Sequence, residues 1–256
     1  MYELELFAGA GGGILAQQLL GHQVIGAVEI SPYCRAVLLQ RQRDLCLPLF
    51  PVWDDVTTFR SDNPECAAFF EYLRSIRDDL CVSGGFPCQD ISSCGKGRGI
   101  SGAKSGLWHE MARIVREIQP AFVFAENSPL LTTRGLGTVL ASLAEMGYDA
   151  RWCVLGAGHL GYPIKRDRLW LLGKHQLHDG WLDESGNEKR PLLRATYGAQ
   201  KQSLVCTMLR SKDCWPTVLL CERLMGWPDH WSRSGPLATA RYRTWLLSHG
   251  GSSLAA

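Results

Sequence analysis

Apolar and polar positions along this chain follow two patterns in alternation. Short apolar runs bounded by turn residues recur at 2–7 (YELELF), 23–30 (QVIGAVEI), 50–53 (FPVW), 80–85 (LCVSGG), 121–127 (AFVFAEN), 150–155 (ARWCVL) and 168–173 (RLWLLG), and they predict strands. Between them lie stretches with helical spacing. Ile14, Leu15, Leu19 and Leu20 follow the glycines of GAGGG, SPYCRAVLLQRQ opens on Ser31 as its cap, and GLWHEMARIVREI and GLGTVLASLAEMGY come later. Strand and helix in alternation predict an α/β fold with a mostly parallel sheet covered on both faces. In such sheets ligands bind beyond the carboxyl ends of the strands, so polar motifs placed there can converge on one cleft.

The alternation holds over residues 1–173. From Lys174 the text changes to scattered charge, glycine and proline with weak periodicity (KHQLHDGWLDESGNEKRPLLRATYGAQKQS), which predicts a small separate unit over 174–221. VLLCERLMGWPDHW restores apolar character, so 222–256 is expected to return to the first domain and to end in a frayed tail, SHGGSSLAA.

Composition narrows the classes. A chain of 256 residues, 46% hydrophobic, can bury one sizeable core with a smaller appendage. A formal net charge of +2 permits nucleic acid as a partner without demanding it. No apolar run reaches the ~18 residues that would span a bilayer, and MYELELFAG has no secretory pattern, so an intracellular protein without membrane contact is expected. Ten cysteines form no CxxC pair and are expected as free thiols, with Cys34, Cys66, Cys81 and Cys153 in the core. The spacing of His175, His178, Cys206 and Cys214 matches no common zinc site, and no metal is expected.

Two strand ends carry candidate chemistry. LFAGAGGG (6–13) is a glycine-rich turn that lets a ligand approach the backbone at a helix N-terminus, and Glu29 at the end of the second strand could hold ribose hydroxyls. The glycines do not choose between nicotinamide, flavin and S-adenosylmethionine. GGFPCQDIS (84–92) is more telling. Gly84 and Gly85 free the backbone, Pro87 fixes the next φ, and Cys88 projects its sulfur from a rigid turn, a placement suited to a nucleophile.

LFAGAGGG, Glu29, Asp55 in DDVTTF, GGFPCQDIS, GLWHEMARIV, FAENS, GYPIKRDRLWLLG and RLMGWPDHW occur in a single order, and from Leu6 to about Arg243 the chain resembles the cytosine-5 DNA methyltransferases of bacteria and phages. The resemblance implies the doubly wound sheet of the S-adenosylmethionine-dependent methyltransferases, with 1–173 catalytic and cofactor-binding and 174–221 a small target-recognition unit. It implies methyl transfer from S-adenosylmethionine to carbon 5 of cytosine in double-stranded DNA, through a Cys88 adduct on a flipped-out base. Carbon 5 is a poor nucleophile until a thiolate adds to carbon 6. Glu126, ending an apolar strand, would protonate or hydrogen-bond ring nitrogen 3, and Arg166 and Arg168, two apart on a strand, would hold the base oxygen or a phosphate.

For the cofactor the resemblance implies Phe7, Gly9, Ala10, Gly11, Gly12 and Gly13, then Glu29 and Ile30, Asp55 and Val56, Pro87 and Leu107; the turn addresses the methionine tail, Glu29 the ribose and Asp55 the adenine. Gln89, Ser92, Lys96, Arg98 and Lys104 would contact DNA from the long Gly- and Ser-rich loop at 90–106. A cytoplasmic monomer in a bacterial cell or a phage-infected host is implied, with a cognate restriction endonuclease as a possible companion. Two departures stand out: Ile164 and Ser128 replace the family's usual residues, and no Gly-Asn-Ser segment is visible in TWLLSHGGSSLAA. The expectation is looser cofactor binding and a 244–256 tail that supplies no contact. A weakened or inactive family member and an RNA cytosine methyltransferase remain as alternatives, with a nicotinamide dehydrogenase a distant third.

Overall fold

Residues 1–87, 107–160, 166–177, 227–237 and 239–249 are those that the computed structural model describes. The chain divides into two units: Met1–Phe86 and His109–Pro120 with the chain from Pro216, and Pro87–Trp108 with Ala121–Trp215.

In the first unit, β1 (Tyr2–Leu6), β2 (Gln23–Val28), β3 (Val52–Trp53) and β4 (Leu80–Gly84) lie in the order β3-β2-β1-β4 and are all parallel. The alternation in YELEL puts Leu4 and Leu6 on one face and Glu3 and Glu5 on the other, and all four are buried, because helices cover both faces. Helix α1 (Gly12–Leu19) follows β1, and α2 (Pro32–Arg43) follows β2. Ser31 caps α2 as expected, its hydroxyl accepting from the Cys34 amide at 3.4 Å, with Pro32 in the first turn where no amide is missed. Helix α3 (Ala67–Ser75), which buries Phe70 and Leu73, was not foreseen from the sequence. From His109 onward, helix α4 (Leu107–Ile118) also belongs to this unit.

The second unit carries β5 (Phe122–Asn127), the short α5 (Leu131–Arg134), α6 (Leu136–Glu145), β6 (Tyr148–Gly156) and β7 (Asp167–His175). Here β7 lies between β5 and β6 and runs antiparallel to both, with Glu126 opposite Trp170 and Gly156 opposite Asp167. The fold is α/β, and the four strands of the first unit are parallel to one another.

Two expectations are corrected. Cys153 is exposed rather than a core thiol, because the middle of β6 is open to solvent; Cys46, Cys66 and Cys81 are buried and Cys34 is half-buried. Residues 244–249 are no free tail either. They belong to helix α7 (Thr239–Ser248) and the residue after it, and Leu246 is buried beside Tyr242, Trp231 and Leu38, with Trp245 packed against that cluster. The apolar spacing of Tyr242, Trp245 and Leu246 along one helix face accounts for this.

Candidate active site

The turn after β1 is bent by three residues with left-handed backbone: Phe7 (φ 55), Gly9 (φ 55) and Gly11 (φ 90). Its glycines do different jobs. A Cβ on Gly9 would meet nothing within 4 Å, whereas one on Gly12 would lie 2.7 Å from Cζ2 of Trp227 and one on Gly13 would collide with the Glu5 carboxylate. Gly12 and Gly13 therefore let α1 seat closely against protein, and Gly9 is where the backbone is open to a ligand.

Glu29 closes the turn from the β2 side. Its Oε2 accepts the Gly9 amide at 2.7 Å and its Oε1 the Ser31 amide at 2.8 Å, so a carboxylate only 8% exposed is satisfied by backbone donors. Next to it Ile30 is 70% exposed, an apolar residue largely open to solvent. Arg35 fixes both residues by donating from Nη1 to the carbonyls of Glu29 (2.9 Å) and Ile30 (2.7 Å).

Asp55 and Val56 lie just past β3. The Asp55 carboxylate accepts the amide and hydroxyl of Thr57 at 2.9 and 2.8 Å, an Asx turn that orients the loop, and Val56 is buried. The loop is anchored by Arg113 on α4, which donates to the carbonyls of Val56 (2.9 Å) and Phe59 (3.0 Å) while pairing with Glu110 (2.8 Å) and Glu117 (2.7 Å). Glu117 in turn accepts the Ser61 amide at 2.9 Å, and these partners hold its carboxyl below the usual range despite partial burial. Neither Arg35 nor Arg113 was singled out in the sequence; the one signal for Arg113 is its placement three and four residues from two glutamates.

Beneath the turn, Glu3 and Glu5 share one buried face with Ser83 of β4. Ser83 Oγ lies 2.5 Å from Glu5 Oε2 and 3.2 Å from Glu3 Oε2, while Gln17 Nε2 donates to both Glu5 (2.5 Å) and Ser83 (2.8 Å). Burial pushes the Glu5 carboxyl up to about 6 and that of Glu3 to about 7.

In the second unit Glu126 and Arg168 meet: Arg168 Nε lies 2.6 Å from Glu126 Oε1, at the end of β5 and the start of β7. Burial raises the Glu126 carboxyl above its ordinary value, and the charges of Arg168 and Arg166 oppose that rise without cancelling it. Arg166 is exposed, just before β7. Pro87 and Leu107 are half-buried and belong to this unit too. Cys88, Gln89, Ser92, Lys96, Arg98 and Lys104 lie outside the described residues, as does Ile164.

A glycine turn braced by an acid just past β2, an Asx loop past β3 and a carboxyl of raised pKa paired with an arginine follow one another along the chain. The model of the C-5 cytosine-specific DNA methylase family matches residues 1–206. The chain belongs to that family. It is 33% identical over 172 residues to the type II methyltransferase M.CviJI of Paramecium bursaria Chlorella virus IL3A, a match covering 66% of this chain and 42% of that one. To the type II methyltransferase M2.BsuMI of Bacillus subtilis (strain 168) it is 29% identical over 180 residues, covering 67% and 41%. The S. pombe Dnmt2 methyltransferase structure shares the fold of this chain at 17% identity, with a TM-score of 0.53 over 71% of this chain and 51% of that one. This chain spans about two fifths of the length of the curated relatives it matches.

Proposed function

We propose that this chain carries the chemistry of a DNA (cytosine-5) methyltransferase, moving a methyl group from S-adenosylmethionine to carbon 5 of cytosine in double-stranded DNA. The observation that supports it most is the Glu126–Arg168 pair, a carboxyl whose pKa burial raises and which a guanidinium orients. It sits in a family member whose Pro87-Cys88-Gln89 segment follows β4 in the chain.

The residues present fit the cofactor. Open backbone at Gly9, the exposed apolar Ile30 and the Glu29 carboxylate offer room for a methionine tail, an apolar surface for a base and an acceptor edge for ribose hydroxyls. Phe7, Ala10, Gly11, Gly12 and Gly13 shape the turn, and in this reading Asp55 and Val56 are assigned to the adenine, with Pro87 and Leu107 also assigned to cofactor contacts. Bound there, S-adenosylmethionine supplies an electrophilic methyl on a sulfonium. The Cys88 thiolate adds to carbon 6 of the flipped base while Glu126 gives its proton to ring nitrogen 3, and Arg168 and Arg166 stabilise the glutamate and the ring oxygen. Carbon 5 would then take the methyl, with S-adenosylhomocysteine as the leaving group; the carbon 5 proton passes to a solvent-derived base, Cys88 leaves as the thiolate, and ring nitrogen 3 returns its proton to the Glu126 carboxylate, which restores the neutral aromatic ring.

Gln89, Ser92, Lys96, Arg98 and Lys104 are assigned to DNA contacts and 174–221 to target recognition. The chain works as a monomer in this reading, and a restriction endonuclease of the same specificity is its natural companion. Among the described residues no helix is long and apolar enough to cross a membrane. The test is transfer of a radiolabelled methyl group to duplex DNA and, in a parallel arm, to RNA. Label at carbon 5 of DNA cytosine supports the proposal. Label on RNA alone moves the substrate to RNA, and no label on either, with S-adenosylhomocysteine bound, assigns a non-catalytic role.

A further inference from the structure

The hidden side of the glycine turn is held by residues more than 200 positions away in the chain. Three left-handed residues, one of them Phe7, make this a backbone segment that needs outside contacts to persist. On the β2 side Val28 and Glu29 bind the amides of Ala8 (3.1 Å) and Gly9 (2.7 Å). On the other side the indole Nε1–H of Trp231 donates to the Ala10 carbonyl at 2.7 Å, and the same ring lies 3.6 Å from where a Gly11 Cβ would be.

Trp231 is itself fixed. It is 0% exposed, and its carbonyl accepts from Arg41 Nε at 3.0 Å, with the guanidinium carbon 5.7 Å from its ring centroid. Arg41, equally buried, also donates to the carbonyls of Arg233 and Gly235, and pairs with Asp44, whose carboxylate takes the Leu237 amide at 2.8 Å. Residues 231–237 are thereby riveted to α2, and the indole N–H is a side-chain donor they send to the turn.

We propose that Trp231 is a positioning residue for the cofactor: its N–H fixes the Ala10 carbonyl, and with it the peptide plane between Ala10 and Gly11, so that the turn is preorganised for the methionine end of S-adenosylmethionine. This rests on the reading that the turn binds that cofactor. A buried tryptophan that merely fills space would serve equally well without its N–H, and that separates the two roles.

The experiment compares the wild type with Trp231→Phe and Trp231→Tyr, which keep a ring and remove the indole donor, so either one that folds suffices. Tyr242→Phe is the control; it loses a hydrogen bond from the Tyr242 hydroxyl to Gln18 Oε1 (2.8 Å) in the same cluster, away from the turn. Calorimetric titration with S-adenosylhomocysteine, and KM against kcat for S-adenosylmethionine, are read at a temperature where each variant keeps the wild-type near-ultraviolet circular dichroism. Loss of one buried hydrogen bond to the turn predicts Kd and KM raised roughly fivefold to tenfold in the Trp231 variants, with kcat at saturating cofactor unchanged. Tyr242→Phe should lower the melting temperature and leave Kd alone. Wild-type Kd in the Trp231 variants, or an equal rise in the control, overturns the positioning role. Failure of the wild type to bind S-adenosylhomocysteine overturns the functional reading and this inference with it.

Discussion

Replacing Glu5 by glutamine should make the protein more stable at pH 8 and change little at pH 5. Burial moves the Glu5 carboxyl from 4.5 to about 6, so the folded chain holds that proton to higher pH than the unfolded chain does. The stability this contributes is fully present below 4.5 and is lost as pH rises through about 6. The interval, at about 1.4 kcal/mol per pH unit, is worth about 2 kcal/mol. Glutamine mimics the protonated acid and pays no such penalty. Gln17, which donates to Glu5, has in its Oε1 a buried acceptor with no hydrogen-bond partner among the described residues, so a glutamine amide adds donors to a network that is short of them. The neighbouring Glu3 carboxyl, pushed up to about 7 first by burial and in part by the Glu5 charge, should fall when that charge goes, which flattens the pH dependence further. Urea unfolding of wild type and Glu5→Gln at half-unit steps from pH 5 to 8 reads the difference directly, since the groups common to both cancel apart from Glu3, whose change acts in the same direction. Parallel stability curves, or a variant that loses ground as pH rises, would refute the reasoning.

Other perturbations follow from particular contacts. Truncation after Arg243 removes the buried Leu246 and the packed Trp245, and should cost about 3 kcal/mol in denaturant unfolding, where a contact-free tail would cost nothing. Arg113→Ala strips the carbonyls of Val56 and Phe59 of this donor and removes the cation that pairs with Glu110 and Glu117; a loss of about 3 kcal/mol, with increased amide exchange at Thr57 and Thr58, is expected. Glu126→Gln keeps a hydrogen-bond donor but has no proton to give, and turnover should fall roughly 10²- to 10⁴-fold with cofactor binding intact; unchanged turnover would leave Glu126 only its pairing with Arg168.

Much of the first unit was legible because local signals agree with the packing. Ser31-Pro32 announces a helix start that Ser31 and Pro32 in fact make, and the apolar runs around Leu4, Ile25 and Val82 are strands buried on both faces. Helix α3 escaped because Phe69, Phe70 and Tyr72 in succession blur its 3.6-residue period, although Phe70 and Leu73 do face inward. The antiparallel course of β7 could not be read at all, since strand direction depends on the connection after β6 and not on the strand's own residues. At the site, the glycine run predicted an open turn, and only Gly9 has open space; what fills Gly12 and Gly13 is Trp227, from the far end of the chain, and a glutamate inside β1. Long-range partners such as Trp231 on Ala10 leave no local mark in a sequence.

The proposed chemistry turns on attack by Cys88 at carbon 6 of a cytosine in duplex DNA. Duplex DNA carrying 5-fluorocytosine tests it most directly, because fluorine cannot leave carbon 5 as a proton does, and the enzyme stays attached after methyl transfer. With S-adenosylmethionine present, the wild type should give a DNA–protein complex that survives denaturing electrophoresis and peptide mapping should place the link at Cys88, while Cys88→Ser should give none. A wild type that binds S-adenosylhomocysteine and duplex DNA yet forms no complex, or a Cys88→Ser protein that still forms one, would contradict the account.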